Sequence, residues 1–205
     1  MNNLQRIPEV AVIVEGHGEV YSMPVLLRRL FHESGYYGKF KIEHPIRLPR
    51  GSIVNGGIEL ERAVLMAGKR IGVPENGLLV LMFDAERGED YACPRLTAPR
   101  LAETVAGVRS DIRSCVIIPH RMYEAWIVAS LEAMPSGYRG FTRPEHPEEL
   151  RNPKILLKSV LGKYKERIDQ PKLTAGMDLN VIREKCPSFD KLAREFQEFL
   201  NGFLV

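Results

Sequence analysis

The sequence predicts an α/β protein with a mostly parallel four-stranded sheet and helices on its faces. Two observations carry this prediction. First, short apolar runs rich in β-branched residues and leucine recur along the chain, at 9–14, 78–83 and 115–118, and read as buried strands. Second, each run is followed by a segment with helical periodicity, and this βα alternation is typical of a parallel sheet with right-handed crossovers.

Each element has its own local signal. The first strand ends at Gly16 and Gly18, which we expect to let the backbone turn sharply and approach a ligand closely. A helix is predicted over 22–34, with Pro24 in its first turn. Residues 40–48 alternate as a second strand that Pro45 weakens, and a flexible loop follows to residue 57. Further helices are expected at 57–71, with Ile58, Leu60, Val64 and Leu65 as core contacts, at 94–108, and from about 121 with Trp126 in the core.

The composition changes after Met134, where prolines interrupt a polar segment. Short helices are predicted at 153–162, 178–185 and 188–201. We therefore divide the chain into an α/β domain over 1–134 and a small helical, basic appendage over 135–205 that packs on it. Residues 151–175 hold seven Lys or Arg against two acids, a distribution that fits phosphate contacts.

Length, apolar content and cysteines narrow the class of protein. With 205 residues the chain can bury a core without disulfides. No apolar run is long enough to span a membrane, and no secretory signal is expected. Its three cysteines, Cys93, Cys115 and Cys186, are far apart and predict reduced thiols in a cytoplasmic protein.

Acidic side chains follow three of the predicted strands. Glu15 and Glu19 come after the first, and Asp84 and Glu86 come after the third. Glu124 opens the helix after the fourth strand. The carboxyl ends of parallel strands share one edge of a sheet, where ligands bind, and clustered carboxylates need a counter-charge. These residues are the candidate catalytic groups, with Mg²⁺ or Mn²⁺ as the cofactor; Glu89 and Asp90 are expected to be solvated loop charges.

The segments Glu15-Gly-His-Gly-Glu19 and Asp84-Ala-Glu86 resemble the two motifs of the Toprim domain, a Rossmann-like fold. Glu86 departs from that pattern, in which the second residue is Asp. The resemblance covers residues 8–132, and the segment from His120 to Trp126 is similar to stand-alone bacterial Toprim-like proteins that accompany ATPases. The resemblance implies that Glu15, Asp84 and Glu86 bind the metal. It also implies a nuclease activity like that of the OLD-type enzymes, with a role in defence or mobile-element control.

Basic residues near the predicted strand ends and in the C-terminal segment are candidates for phosphate binding. They are Arg121, Lys154 and Lys172. The expected partner is nucleic acid, DNA rather than RNA. A partner ATPase and a two-fold homodimer are also compatible with this class of protein, and no membrane partner is expected.

Two other classes of function stay open on the sequence. One is a module that binds nucleic acid or a partner protein without cutting. The other is a Mg²⁺-dependent phosphatase or nucleotidyl transferase acting on a small phosphorylated substrate with the same acids. The fold does not separate these, because function depends on the site.

Overall fold

The computed structural model describes residues 6–86, 91–134, 138 and 141–204. At its centre lies a five-stranded sheet in which every pairing is parallel, so the predicted α/β class is confirmed. Strand β1 pairs with β4 on one side and with the short strands β2 and β3 on the other, and β4 pairs with β5. The strands are β1 (Glu9–Val14), β2 (Lys41–Ile42), β3 (Ile46–Arg47), β4 (Gly77–Met82) and β5 (Arg113–Ile117).

The two central strands are buried along their whole length because helices cover both faces of the sheet. Alternate residues face alternate sides, so Val10, Val12 and Val14 enter one core. Ala11 and Ile13 enter the other. The predicted second strand forms as two short pieces on either side of Pro45, which lacks the backbone N–H that a continuous ladder requires.

Helices cover the two faces and form the C-terminal region. Short 3₁₀ segments occur at Pro74–Asn76, Leu131–Ala133 and Pro147–Glu149. The α-helices are α1 (His17–Glu33), α2 (Arg50–Asn55), α3 (Ile58–Arg70), α4 (Pro94–Val108), α5 (Glu124–Ser130), α6 (Pro153–Leu161), α7 (Glu166–Gly176), α8 (Leu179–Lys185) and α9 (Pro187–Leu200).

Three local predictions in the first half of the chain are wrong. Helix α1 begins at His17 rather than 22, so Pro24 lies inside it and Glu19 lies in its first turn. The loop predicted before residue 57 contains helix α2. Ile58 and Leu65, predicted as core contacts, are 61% and 43% exposed because the buried stripe of α3 runs through Leu60 and Val64 instead.

The C-terminal region contains helix α7, which the sequence did not predict because Pro171 and a polar composition interrupt the pattern. Tertiary packing stabilises it: Gln170 and Thr174 are buried, and Arg29 of α1 donates to the Thr174 carbonyl at 2.8 Å. Helix α9 brings Phe196 to within 4.9 Å of Phe31 on α1, measured between ring centroids. The C-terminal helices therefore complete a core shared with the sheet.

Some predictions fall next to residues that the structure does not describe. Glu89 and Asp90 lie outside the described residues, and the predicted domain boundary after Met134 adjoins another such segment, 135–137. The division into 1–134 and 135–205 therefore stays a prediction. Cys93, Cys115 and Cys186 form no disulfide with one another. Within the described ranges, none of the helices combines the length and apolar character needed to cross a membrane.

Trp126 lies in the core, as predicted, and is fully buried. Its indole Nε1 donates to Ser188 Oγ at 2.9 Å and to Glu148 Oε1 at 3.2 Å, which ties α5 to the C-terminal region. We expect Trp126→Phe to lower the free energy of unfolding by roughly 1–3 kcal/mol, because it removes both hydrogen bonds and leaves a small void. Urea unfolding checks this.

The matched control is Tyr37→Phe, since Tyr37 is 80% exposed. It is expected to change the free energy of unfolding by less than about 0.5 kcal/mol. Equal stabilities of Trp126→Phe and the wild type would contradict the assigned role of the indole.

Candidate active site

Five carboxylates meet at the carboxyl-terminal edge of the sheet. Glu15 follows β1 directly and Glu19 lies in the first turn of α1, while Asp84 and Glu86 follow β4 and Glu124 is the first residue of α5. These are the five acids that the sequence singled out, and we refer to them as the acidic cluster. Parallel strand direction alone places them on one edge, the usual ligand-binding edge of an open α/β sheet.

Three members of the acidic cluster, Glu15, Asp84 and Glu124, have a raised pKa. Burial raises the pKa of Asp84 well above its ordinary value, and the charges of Glu19, Glu124 and Glu15 add to this rise. Burial also raises the pKa of Glu15, and Glu86 and Glu19 add to it against the opposing charge of Arg50. Such a cluster favours a bound cation, because a cation lowers the cost of holding several carboxylates ionised together.

Glu124 is the most deeply placed member of the cluster, with its side chain fully buried. Its Oε1 accepts hydrogen bonds from the Tyr164 hydroxyl at 3.1 Å and from Gln170 Nε2 at 3.5 Å. Burial raises the pKa of Glu124 to about 7; Lys154 opposes this rise and Glu19 adds to it. A carboxyl group with this pKa is able to hold or release a proton near neutral pH.

Two cations border the acidic cluster. Arg50 Nη1 lies 3.7 Å from Glu15 Oε2, and the same guanidinium donates to the carbonyl oxygens of Asp84 and Ala85. Lys154 Nζ lies 3.8 Å from Glu124 Oε1 and 3.0 Å from Glu166 Oε1. Burial lowers the pKa of Lys154, but the nearby carboxylates outweigh it, so this pKa is raised overall and the ammonium stays charged.

Gln170 connects α7 to the first turn of α1. Its Nε2 donates to Glu19 Oε1 at 3.1 Å, and its Oε1 accepts from Ser22 Oγ at 2.8 Å. These contacts require space at the two glycines: a Cβ on Gly18 would overlap the Gln170 amide, and a Cβ on Gly16 would overlap the Glu19 carboxylate.

The sharp turn predicted at these glycines does not require a backbone conformation that only glycine adopts. Gly16 has a φ of −89°, which any residue can adopt, and Gly18 lies within α1 without a positive φ. What these positions need is the absence of a Cβ, which makes room for two polar side chains.

Gly18→Ala is expected to lower the free energy of unfolding by about 1–3 kcal/mol, because the added methyl group displaces Gln170 from Glu19 and Ser22. Gly107→Ala is the matched control, since Gly107 also lies in a helix but has open space at its Cβ position. That control should be neutral or stabilising by up to about 1 kcal/mol. Thermal and urea unfolding measure the stability of the two variants. Equal changes in the free energy of unfolding for Gly18→Ala and Gly107→Ala would contradict this account.

Of the predicted phosphate-binding residues, only Lys154 contacts the acidic cluster through a carboxylate. Arg121 has a φ of +72° and its Nη1 donates to the Glu86 carbonyl at 3.3 Å, while the Glu86 amide, at φ +59°, donates to the Arg121 carbonyl at 3.2 Å. Arg121 is thus held at the rim of the site. Lys172 is exposed on α7 two residues after the inward-facing Gln170, so it lies on another face of that helix.

The donor atoms fit a hard divalent cation. Glu15 Oε2 and Glu124 Oε2 are buried oxygens that accept no hydrogen bond within the described part of the chain. Carboxylate oxygens are what Mg²⁺ prefers, and Mg²⁺ usually completes its coordination with waters and substrate phosphate oxygens. Across residues 6–86, 91–134, 138 and 141–204, no three His, Cys, Asp or Glu side chains form a complete metal-binding group.

Sequence reasoning missed three residues that shape the site: Arg50, Tyr164 and Gln170. Arg50 follows Pro49 in a segment predicted as a loop, and only the start of α2 turns it toward Glu15. Tyr164 and Gln170 lie in the basic C-terminal segment, far from the acids in sequence. A single tyrosine or glutamine in a polar segment gives no sequence pattern from which a hydrogen bond to a buried carboxylate could be predicted.

The comparisons with known proteins add a family and no activity. A family model described as "Domain of unknown function (DUF4276)" matches residues 14–197, a span that includes every member of the acidic cluster as well as Lys154 and Gln170. No curated protein matches the chain, and no solved structure matches it.

Proposed function

Since the chain belongs to the family described as "Domain of unknown function (DUF4276)", we propose from its geometry that it is a metal-dependent phosphodiester hydrolase that acts on nucleic acid. One observation carries the proposal: carboxylates from three strand ends converge beside Lys154, and two of their buried oxygens lack a hydrogen-bond donor within the described residues. This arrangement suits chemistry in which a divalent cation offsets the charge of a phosphate.

Glu15 and Asp84 would hold Mg²⁺ or Mn²⁺, with Glu86 at the rim. When bound, the cation supplies the positive charge that lets carboxylates and phosphate oxygens approach one another. Arg50 fixes Glu15 by its ion pair and also ties down the backbone after β4 through two carbonyl groups. The Tyr123 amide donates to Asp84 Oδ1 at 2.9 Å and so fixes the orientation of that carboxylate.

Lys154 supplies a positive charge, and the neighbouring Glu124 supplies a carboxyl group that can hold a proton. The Lys154 ammonium is positioned to stabilise negative charge that develops on a leaving oxygen. The pKa of Glu124, about 7, suits proton transfer near neutral pH. Tyr164 and Gln170 both donate to Glu124 Oε1, while its other oxygen, Oε2, is buried and accepts no hydrogen bond within the described residues.

The biological setting of the proposal follows from the Toprim resemblance of the two acidic motifs. We place the activity in the cytoplasm, on DNA rather than RNA, with a partner ATPase and a homodimer as the assemblies to look for. Arg121 at the rim and the exposed Lys172 are the further candidates for phosphate contacts.

The experiment is a substrate panel with the full-length protein at controlled Mg²⁺ and Mn²⁺ concentrations. Supercoiled plasmid, single-stranded and duplex oligonucleotides, RNA and a small phosphate monoester are incubated with metal or with EDTA. Cleavage of polymers that requires metal supports the proposal, and reaction of the monoester alone assigns a phosphatase instead. Inert polymers at every metal concentration, together with no heat of metal binding in calorimetry, would overturn the hydrolase proposal.

A non-catalytic binding module is the second candidate, and the internal ion pairs favour it. Arg50 beside Glu15 and Lys154 beside Glu124 already offset part of the acidic charge without a metal. This candidate predicts nucleic-acid binding that is unchanged by EDTA and unaffected when the acids are neutralised. The hydrolase predicts a reaction that disappears in both cases.

A further inference from the structure

A second feature adjoins the acidic cluster: a cavity of about 330 Å³ between α6 and the start of α7. Lys154 and Tyr164 line it, and both also contact Glu124, at 3.8 Å and 3.1 Å. Two side chains therefore form a shared wall between this cavity and the proposed reaction centre. A volume near 300 Å³ is at the small end of ligand pockets, large enough for a phosphate with part of its sugar.

The cavity carries an excess of positive charge. Lys158, Lys165 and Arg167 line it, and within the part of the chain that the structure describes no ion pair joins any of them to a carboxylate. Glu166 also lines the cavity, but it is paired with Lys154 at 3.0 Å. Three ammonium or guanidinium groups without acidic partners form a site for an anion with several oxygen acceptors.

Arg167 is held in position by α1 rather than extending freely into solvent. Its Nη2 donates to the Tyr21 hydroxyl at 3.0 Å, and its guanidinium carbon lies 5.6 Å from the centre of the Tyr21 ring. Tyr21 is two residues beyond Glu19 on the same helix. One helix, α1, therefore positions both Arg167 in the cavity wall and Glu19 in the acidic cluster.

We infer that this cavity binds a phosphate group of the same nucleic-acid strand that the acidic cluster acts on, at a fixed distance from the bond to be cut. The inference rests on the proposed function for the identity of the ligand. The phosphate is either a terminal phosphate or an internal phosphodiester, and both present the same oxygen acceptors to Lys158, Lys165 and Arg167. A bound phosphate there would set the register of the strand in the active site.

The test measures binding in EDTA, so that metal-dependent cleavage does not interfere. The probes are three internally labelled single-stranded oligonucleotides of one sequence, with a 5′-phosphate, a 3′-phosphate or neither. The full-length Lys158→Ala/Lys165→Ala variant is compared with the wild type by fluorescence anisotropy over a range of salt. Lys163→Ala is the matched control, since Lys163 is an exposed lysine of the same segment that does not line the cavity.

The double variant is expected to bind about tenfold more weakly, and its plot of log K against log salt should be less steep by about 0.7 for each lost phosphate contact. The Lys163→Ala control should match the wild type. Preference of the wild type for one phosphorylated end, absent in the double variant, identifies a terminal phosphate. Equal weakening for all three oligonucleotides identifies an internal phosphodiester.

Wild-type affinity and salt dependence in the double variant would overturn the inference, as would a wild type that binds none of the oligonucleotides. The proposed hydrolase is judged separately, with metal present. Weakened binding in the double variant without any cleavage by the wild type supports the phosphate cavity and rejects the hydrolase. Unchanged binding together with metal-dependent cleavage rejects the cavity and leaves the hydrolase intact.

Discussion

Asp84→Asn should abolish most metal-dependent cleavage, with a fall in rate of roughly 100-fold or more. Asp84 follows the central strand β4, and its pKa is raised by burial and by Glu19, Glu124 and Glu15, which places it among the other acids. Asparagine keeps an oxygen that can accept from the Tyr123 amide but removes the negative charge. The fold is therefore retained while the attraction for a cation is weakened.

Initial rates over a range of Mg²⁺ and Mn²⁺ concentrations, together with calorimetric metal binding, measure this effect. Asp111→Asn is the matched control, because Asp111 is an exposed aspartate that precedes β5 at the opposite edge of the sheet. The control should cleave like the wild type. If Asp84→Asn retains full activity with an unchanged metal requirement, the metal assignment at the acidic cluster is wrong.

The stability of the metal-free protein should fall as pH rises from about 4.5 to about 7. Burial raises the pKa of Glu124 from 4.5 to about 7, so in this window the folded protein holds a proton that the unfolded chain has released. Stability is therefore lost as pH rises through the window and levels off above it. The rise in this one pKa corresponds to roughly 3 kcal/mol, and the raised pKa values of Asp84 and Glu15 act in the same direction.

Urea unfolding at pH 5 and pH 8, with EDTA or with Mg²⁺, measures this dependence. Mg²⁺ should recover stability at pH 8, because a cation that binds only the folded state stabilises it by mass action. Glu124→Gln should lose much of the difference between pH 5 and pH 8, while Glu103→Gln, an exposed residue of α4, should keep it. A wild type whose metal-free stability is the same at both pH values would contradict the electrostatic picture of the cluster.

Much of the sheet could be predicted from local patterns. The runs 10–14 in β1 and 78–82 in β4 are apolar at every position because both faces of these strands are covered, and such a run is visible without any structure. The same holds for α4, predicted over 94–108 and observed as Pro94–Val108. The start of α1, helix α2 and helix α7 could not be predicted in this way. Glycines occur at the start of α1 and in α2, and a proline interrupts the polar sequence of α7, so none of these segments has a clear local signal for a helix.

The candidate site likewise has a part that could be predicted from the sequence and a part that could not. The sequence by itself determined which acids lie at the sheet edge. Acids that follow parallel strands share that edge, and the five that the sequence indicated lie near one another there: Glu15, Glu19, Asp84, Glu86 and Glu124. It also determined that Trp126 is core.

Only the tertiary structure decided which partners surround those acids. Arg50, Tyr164 and Gln170 reach the cluster because α2 and α7 pack against the sheet and α1, and Lys154 reaches Glu124 from α6, 30 residues along the chain. The physical reason is that the parallel direction of the strands follows from the βα alternation, which is visible along the sequence, whereas a polar contact between distant segments depends on how whole helices pack. That packing depends on the apolar faces of the same helices. The sequence of an apolar face does not indicate which polar side chains the packing will bring together.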